Sequence, residues 1–100
     1  MKFKRAPIPE FDLVVDVTAP GGEDFGALTL RCKPLSRSQI DAMTSRPIDE
    51  ALADVVIGWD EPESAFSAAA LASLLDEYPW LDLVIWRAYL ARMRGIVRGN

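Results

Sequence analysis

Phe11-Asp12-Leu13-Val14-Val15-Asp16-Val17-Thr18 is the stretch that decides the fold. Phe11, Leu13, Val15 and Val17 fall on one side of an extended chain, and Asp12, Val14, Asp16 and Thr18 fall on the other. The period of two predicts a strand with one apolar face. Ala19-Pro20-Gly21-Gly22-Glu23-Asp24 supplies turn residues immediately after it. Phe25 to Lys33 then places Leu28, Leu30 and Cys32 on one side and Thr29 and Arg31 on the other. The two runs read as an antiparallel hairpin over 11–33. A lone hairpin is marginal in water, so its apolar face needs a cover.

The rest of the sequence predicts that the cover is helical. Ser36 is an N-cap candidate, with Gln39 at capping-box spacing, and Thr44-Ser45-Arg46-Pro47 stops that helix early. A second helix is expected from about Asp49, with Ile48, Leu52, Val55 and Val56 as its apolar stripe. Gly58 follows where a left-handed C-cap would sit, and Trp59 is expected to fold back on the last turn. Asp60-Glu61-Pro62-Glu63-Ser64 reads as an acidic connector too polar to pack. Ser67 is expected to cap a helix from Ala68 to Tyr78. Pro79 separates it from a last helix from Trp80 to Val97, whose apolar residues cover most of its circumference. The expected fold class is α+β, an N-terminal hairpin packed against about four helices and predominantly helical. One domain is expected over 1–100, with 1–10 a flexible lead-in and 36–98 the helical part.

Composition narrows the function. The chain has 100 residues, half of them hydrophobic, with a formal charge of −4 and no histidine. The acidic balance gives no electrostatic source for binding a phosphate backbone, so no nucleic-acid partner is expected. Without histidine the commonest general base and the commonest metal ligand near neutral pH are missing. Cys32 is the one cysteine, which excludes both an intrachain disulfide and a thiolate zinc cage. No Gly-rich loop leads into a Lys-Ser or Lys-Thr pair that would hold a nucleotide. Asp54, Asp60, Glu61, Glu63, Asp76 and Glu77 lack the spacing of an acid/base pair or a magnesium site and read as solvated charges and cap partners. Ser36, Ser38, Ser64, Ser67 and Ser73 lack a base. No catalytic residue, cofactor site or metal site is expected, and the protein is not expected to be an enzyme. Met1 to Arg5 is basic, but Pro7, Pro9 and Glu10 leave no apolar core for a leader, and no run is long enough for a membrane span. A soluble, unprocessed protein in a reducing cytoplasm is the expectation.

Two features stand out as candidate partner-binding residues. Trp59 reads either as a core anchor or as the centre of an interface, where Trp is enriched. Arg87, Arg94 and Arg98 fall at i, i+7 and i+11 of the last helix, with Trp80 at i−7 on the same side. That stripe is either a solvated basic face or a docking strip for an acidic or helical partner. Arg92 points elsewhere, with its stem at the edge of the apolar arc.

The order of Val55-Val56-Ile57-Gly58-Trp59-Asp60, then Phe66-Ser67, then Leu74-Leu75-Asp76-Glu77-Tyr78-Pro79, and finally Tyr89 and Asn100, resembles the tail assembly chaperones of long-tailed bacteriophages. The likeness extends from the strand, Gly-rich turn and strand through Lys33-Pro34-Leu35-Ser36 to the aromatic last helix. The connector Glu61-Pro62-Glu63-Ser64-Ala65 is shorter than that family pattern. The resemblance implies a late phage or prophage protein that binds the tape measure protein and keeps it from aggregating while tail tube subunits assemble. It also implies contact with the major tail tube protein through a frameshifted longer form, action in the host cell cytoplasm, and absence from the mature virion. Self-association is left open. The alternative is a small prophage-encoded regulatory module that binds a protein or nucleic acid through its C-terminal helix.

Overall fold

A computed structural model describes residues 1–95 of the chain. Two strands, β1 (Phe11–Thr18) and β2 (Asp24–Cys32), form the expected antiparallel hairpin, in which Leu13 faces Leu30 and Val15 faces Leu28. Leu13, Val15, Val17, Leu30 and Cys32 are buried on one face, while Asp12, Val14, Asp16 and Arg31 are exposed on the other. The outer face carries an ion pair between Arg31 and Asp12 at 3.2 Å.

Four helices follow in the expected order: α1 (Arg37–Thr44), α2 (Ile48–Val55), α3 (Ala68–Glu77) and α4 (Leu81–Met93). Ser36 caps α1 in a full capping box with Gln39, and the Ser67 side chain accepts from the Ala70 amide to cap α3. Arg46 ties the α1–α2 corner to α2, with 2.8 Å to Asp54 and 3.5 Å to Glu50. The fold class is α+β, as expected.

The sequence reading fails between Val56 and Trp59. These residues form a third strand, β3 (Val56–Trp59), antiparallel to β2, so the sheet order is β1-β2-β3. No loop intervenes: α2 ends at Val55 and the chain turns straight into the strand. Gly58 is not in the left-handed region and caps nothing. It lies opposite Arg31, where an added Cβ would come within 3.2 Å of the Arg31 Cβ. A short aliphatic run satisfies helix and strand patterns equally, and here β-branched Val56 and Ile57 beside an open sheet edge decide for the strand. The last helix is also shorter than expected. It stops at Met93, and Gly95 adopts φ +75 just past the Arg94 cap, a conformation glycine takes at little steric cost.

α4 covers the sheet and is held by polar contacts at its C-terminal end. The Tyr89 hydroxyl donates to the Lys33 carbonyl at 2.9 Å, and its ring lies between Phe11 and Trp86, at 6.0 and 5.5 Å. Arg92 donates to the Asp12 carbonyl at 3.2 Å with its guanidinium 4.9 Å over the Phe11 ring. The apolar-arc edge expected for Arg92 is therefore a seam between helix and strand.

Removing the phenol hydroxyl in Tyr89→Phe should lower stability by about 1 kcal/mol in urea unfolding, the net value of one such hydrogen bond. Burial pushes both the Tyr89 phenol and the Cys32 thiol up to about 12. The unfolded chain gives up these protons at lower pH, from about 9 for the thiol and about 10 for the phenol. Stability from this source is whole below about pH 9 and falls as pH rises toward about 12. Unfolding midpoints measured across that window should decline, with the phenol part of the decline absent in Tyr89→Phe.

Candidate functional site

The second edge of β2 is only partly covered. β3 pairs with Leu30 to Cys32, and Asp60 extends the contact by one residue, its amide donating to the Thr29 carbonyl at 3.0 Å and its carboxylate accepting from the Thr29 amide at 2.9 Å. Beyond that point β2 has no strand partner on this side. A groove of about 770 Å³ opens there, between the edge of β2, the connector at 60–64 and α3. Val17, Leu28, Leu74 and Leu81 form its apolar floor. Asp60, Glu61, Glu63 and Glu77 stand around it, and among the described residues no lysine or arginine lines it.

Aromatic rings close one end. A bulge between Val17 and Thr18 leaves Phe25 as an extra residue of β2, and Gly26 takes φ +87 with its amide bound to the Asp24 carboxylate at 2.8 Å. Bulges re-aim side chains, and this one sends Phe25 toward the helices. Its ring lies 5.8 Å from Tyr78 and 6.0 Å from Trp80, which are 6.0 Å from each other. Phe25 remains half exposed at 50%.

The acidic connector is held by hydrogen bonds of its own. Glu61 accepts from the Glu63 amide and the Ser64 hydroxyl, both at 2.9 Å, and these hydrogen bonds lower its pKa. Ser64 in turn offers its carbonyl to the Trp59 indole N–H at 2.9 Å. The connector wall of the groove is therefore fixed from behind by Trp59, whose ring also meets Phe66 edge-on at 5.3 Å.

Of the five residues singled out as partner-binding, four lie within the described residues. Trp59 is partly buried against Leu30 and the connector, with its polar atom satisfied. Trp80 precedes α4 and does not line the groove, but its ring lies 6.0 Å from each of the two aromatic rings, Phe25 and Tyr78, that do. Arg87 is exposed on α4, and Arg94 is the helix cap, also exposed. Arg98 lies outside the described residues. Sequence reasoning missed Phe25, Tyr78 and the groove carboxylates as a unit. The usable signal was a large apolar residue directly after a Gly-rich turn, where a tight hairpin needs none.

A sequence model of the phage tail assembly chaperone family matches residues 1–100. The chain belongs to that family. The comparison with curated proteins found no match, and neither did the comparison with solved structures. Family membership carries a chaperone role in phage tail assembly and hence contact with tail proteins, in accord with the resemblance read from Val55 to Tyr89. Among the described residues no helix is long and apolar enough to cross a membrane, and no group of three or more potential metal ligands comes together.

Because Trp59 both packs and pins the connector, Trp59→Ala should cost about 2–3 kcal/mol in chemical denaturation, below the range for a fully buried Trp. An unfolding curve superimposable on the parent's would remove Trp59 from the core and return it to the interface.

Proposed function

We propose that this protein is a non-catalytic chaperone that binds the tape measure protein and keeps its apolar helices from aggregating until tail tube subunits assemble around it. The groove beside β2 carries the reading. It combines an apolar floor, a half-exposed aromatic end and four rim carboxylates that form no ion pair among the described residues, which suits an apolar client segment flanked by lysine or arginine. Binding of this kind needs no bond chemistry. Contact with the major tail tube protein, action in the host cytoplasm and release before the virion matures belong to the same reading.

The rim charges work at range. An acidic rim speeds encounter with a basic-flanked segment and disfavours acidic competitors, while the apolar floor supplies contact area. The net charge of −4 also keeps chaperone–client complexes apart from one another.

Co-expression with the tape measure protein from the same phage or prophage tests the reading. The parent chain should co-purify with the client and raise its yield in the supernatant. Phe25→Ser and the double variant Glu63→Lys/Glu77→Lys should each reduce capture by about tenfold, the effect of one well-placed interface contact. Arg87→Glu should leave it unchanged. Loss of capture in Arg87→Glu, with the groove variants unaffected, would move the site to the α4 face.

A further inference from the structure

The lead-in at 1–10 has the chemistry that the groove lacks. Lys2, Lys4 and Arg5 precede Pro7-Ile8-Pro9 in a segment that is exposed throughout. Phe3 and Ile8 are 90% and 64% exposed, more than any large apolar side chain of the folded body, of which Val14 at 59% comes nearest. Apolar side chains this open in a segment this basic read as an unmet docking element. The prolines bias the segment toward an extended polyproline conformation with little entropy left to lose on binding. Segments of that kind dock into aromatic-lined grooves, and flanking cations pair with carboxylates at the rim.

We propose that the groove beside β2 takes the basic, proline-bearing lead-in (residues 2–9) of a second copy of this chain, with Pro7-Ile8-Pro9 against Phe25, Tyr78 and Trp80 and with Lys2, Lys4 and Arg5 facing the rim carboxylates. The charges match: three cations meet Asp60, Glu61, Glu63 and Glu77, none of which forms an ion pair among the described residues. The open edge of β2 adds unpaired backbone groups beside an extended occupant. A chain's own lead-in is poorly placed for this role. Phe11 pairs with Cys32 at one end of the hairpin and Val17 pairs with Gly26 at the other, so the lead-in joins β1 about 20 Å from the groove end of the strand. A neighbouring copy has no such separation to bridge.

Where the groove is also the client site, as proposed above, the lead-in of a second copy holds it closed in the absence of client. The self-association itself does not depend on that reading.

Sedimentation velocity of the full chain over a wide concentration range is the test. The average mass should rise above that of a monomer with concentration and fall back as salt screens the rim. Lys2→Glu/Lys4→Glu/Arg5→Glu should weaken association by about tenfold or more, the combined effect of three exposed pairs. Glu63→Lys/Glu77→Lys should do the same. Mixing the two variants should restore association, because the basic lead-in of the groove variant then meets the unaltered acidic groove of the other, and the acidic lead-in meets a rim that is no longer net negative. That recovery cannot come from a variant that fails to fold. A chain that stays monomeric at every concentration, or an association that neither charge reversal changes, overturns the proposal. Client capture measured on the lead-in variant separates the two ideas. Capture retained in that variant while its self-association is lost supports both, and capture absent in the parent chain while the parent self-associates overturns the chaperone reading alone.

Discussion

Everything in this fold depends on covering the one apolar face of a small sheet. Leu13, Val15, Leu30 and Cys32 have no second sheet to meet, so α2 and α4 must lie across them and stay there. Apolar area provides the drive without fixing the angle. The angle comes from the few polar contacts at the C-terminal end of α4, where Tyr89 reaches the Lys33 carbonyl and Arg92 reaches the Asp12 carbonyl across the Phe11 ring. These contacts fix one end of the helix on the start of the first strand and the residue that follows the second, and leave its other end, at Trp80 and Leu81, beside the bulge and the groove.

The groove follows from where pairing stops. β3 is four residues long against nine in β2, and the connector that follows folds back through Glu61 and Ser64 instead of continuing the strand. An edge left open in this way is normally a hazard. On the proposed reading, the carboxylates beside it discourage indiscriminate pairing, and the half-exposed ring of Phe25 offers a specific contact in its place. A chaperone needs that combination: a surface attractive enough to engage an apolar client and charged enough to avoid general aggregation.

Much of the scaffold was legible because it rests on local rules. Alternation from Phe11 to Val17, the turn at Pro20-Gly21-Gly22, the capping box at Ser36 and Gln39 and the cap at Ser67 each follow from a few neighbouring residues. The third strand was not legible, since a run such as Val56-Ile57-Gly58-Trp59 fits a helix end as well as a strand, and the deciding factor was an open edge contributed by residues about 25 positions earlier in the chain. The candidate site was less legible still. Phe25 is aimed by a bulge, Tyr78 by the end of a helix, and the carboxylates by a connector whose order comes from Trp59, so no spacing in the sequence brings them together. Trp59 itself stood out for its rarity, and the structure assigns it a supporting position behind the groove wall.

Hydrogen exchange of the chaperone alone and in complex with the tape measure protein tests the central claim, that the groove beside β2 is where the client sits. The account predicts new protection at residues 25–28, 60–64 and 70–78, with the amides around Arg87 unchanged. Protection confined to the exposed side of α4, with the groove segments exchanging as in the free protein, would contradict it.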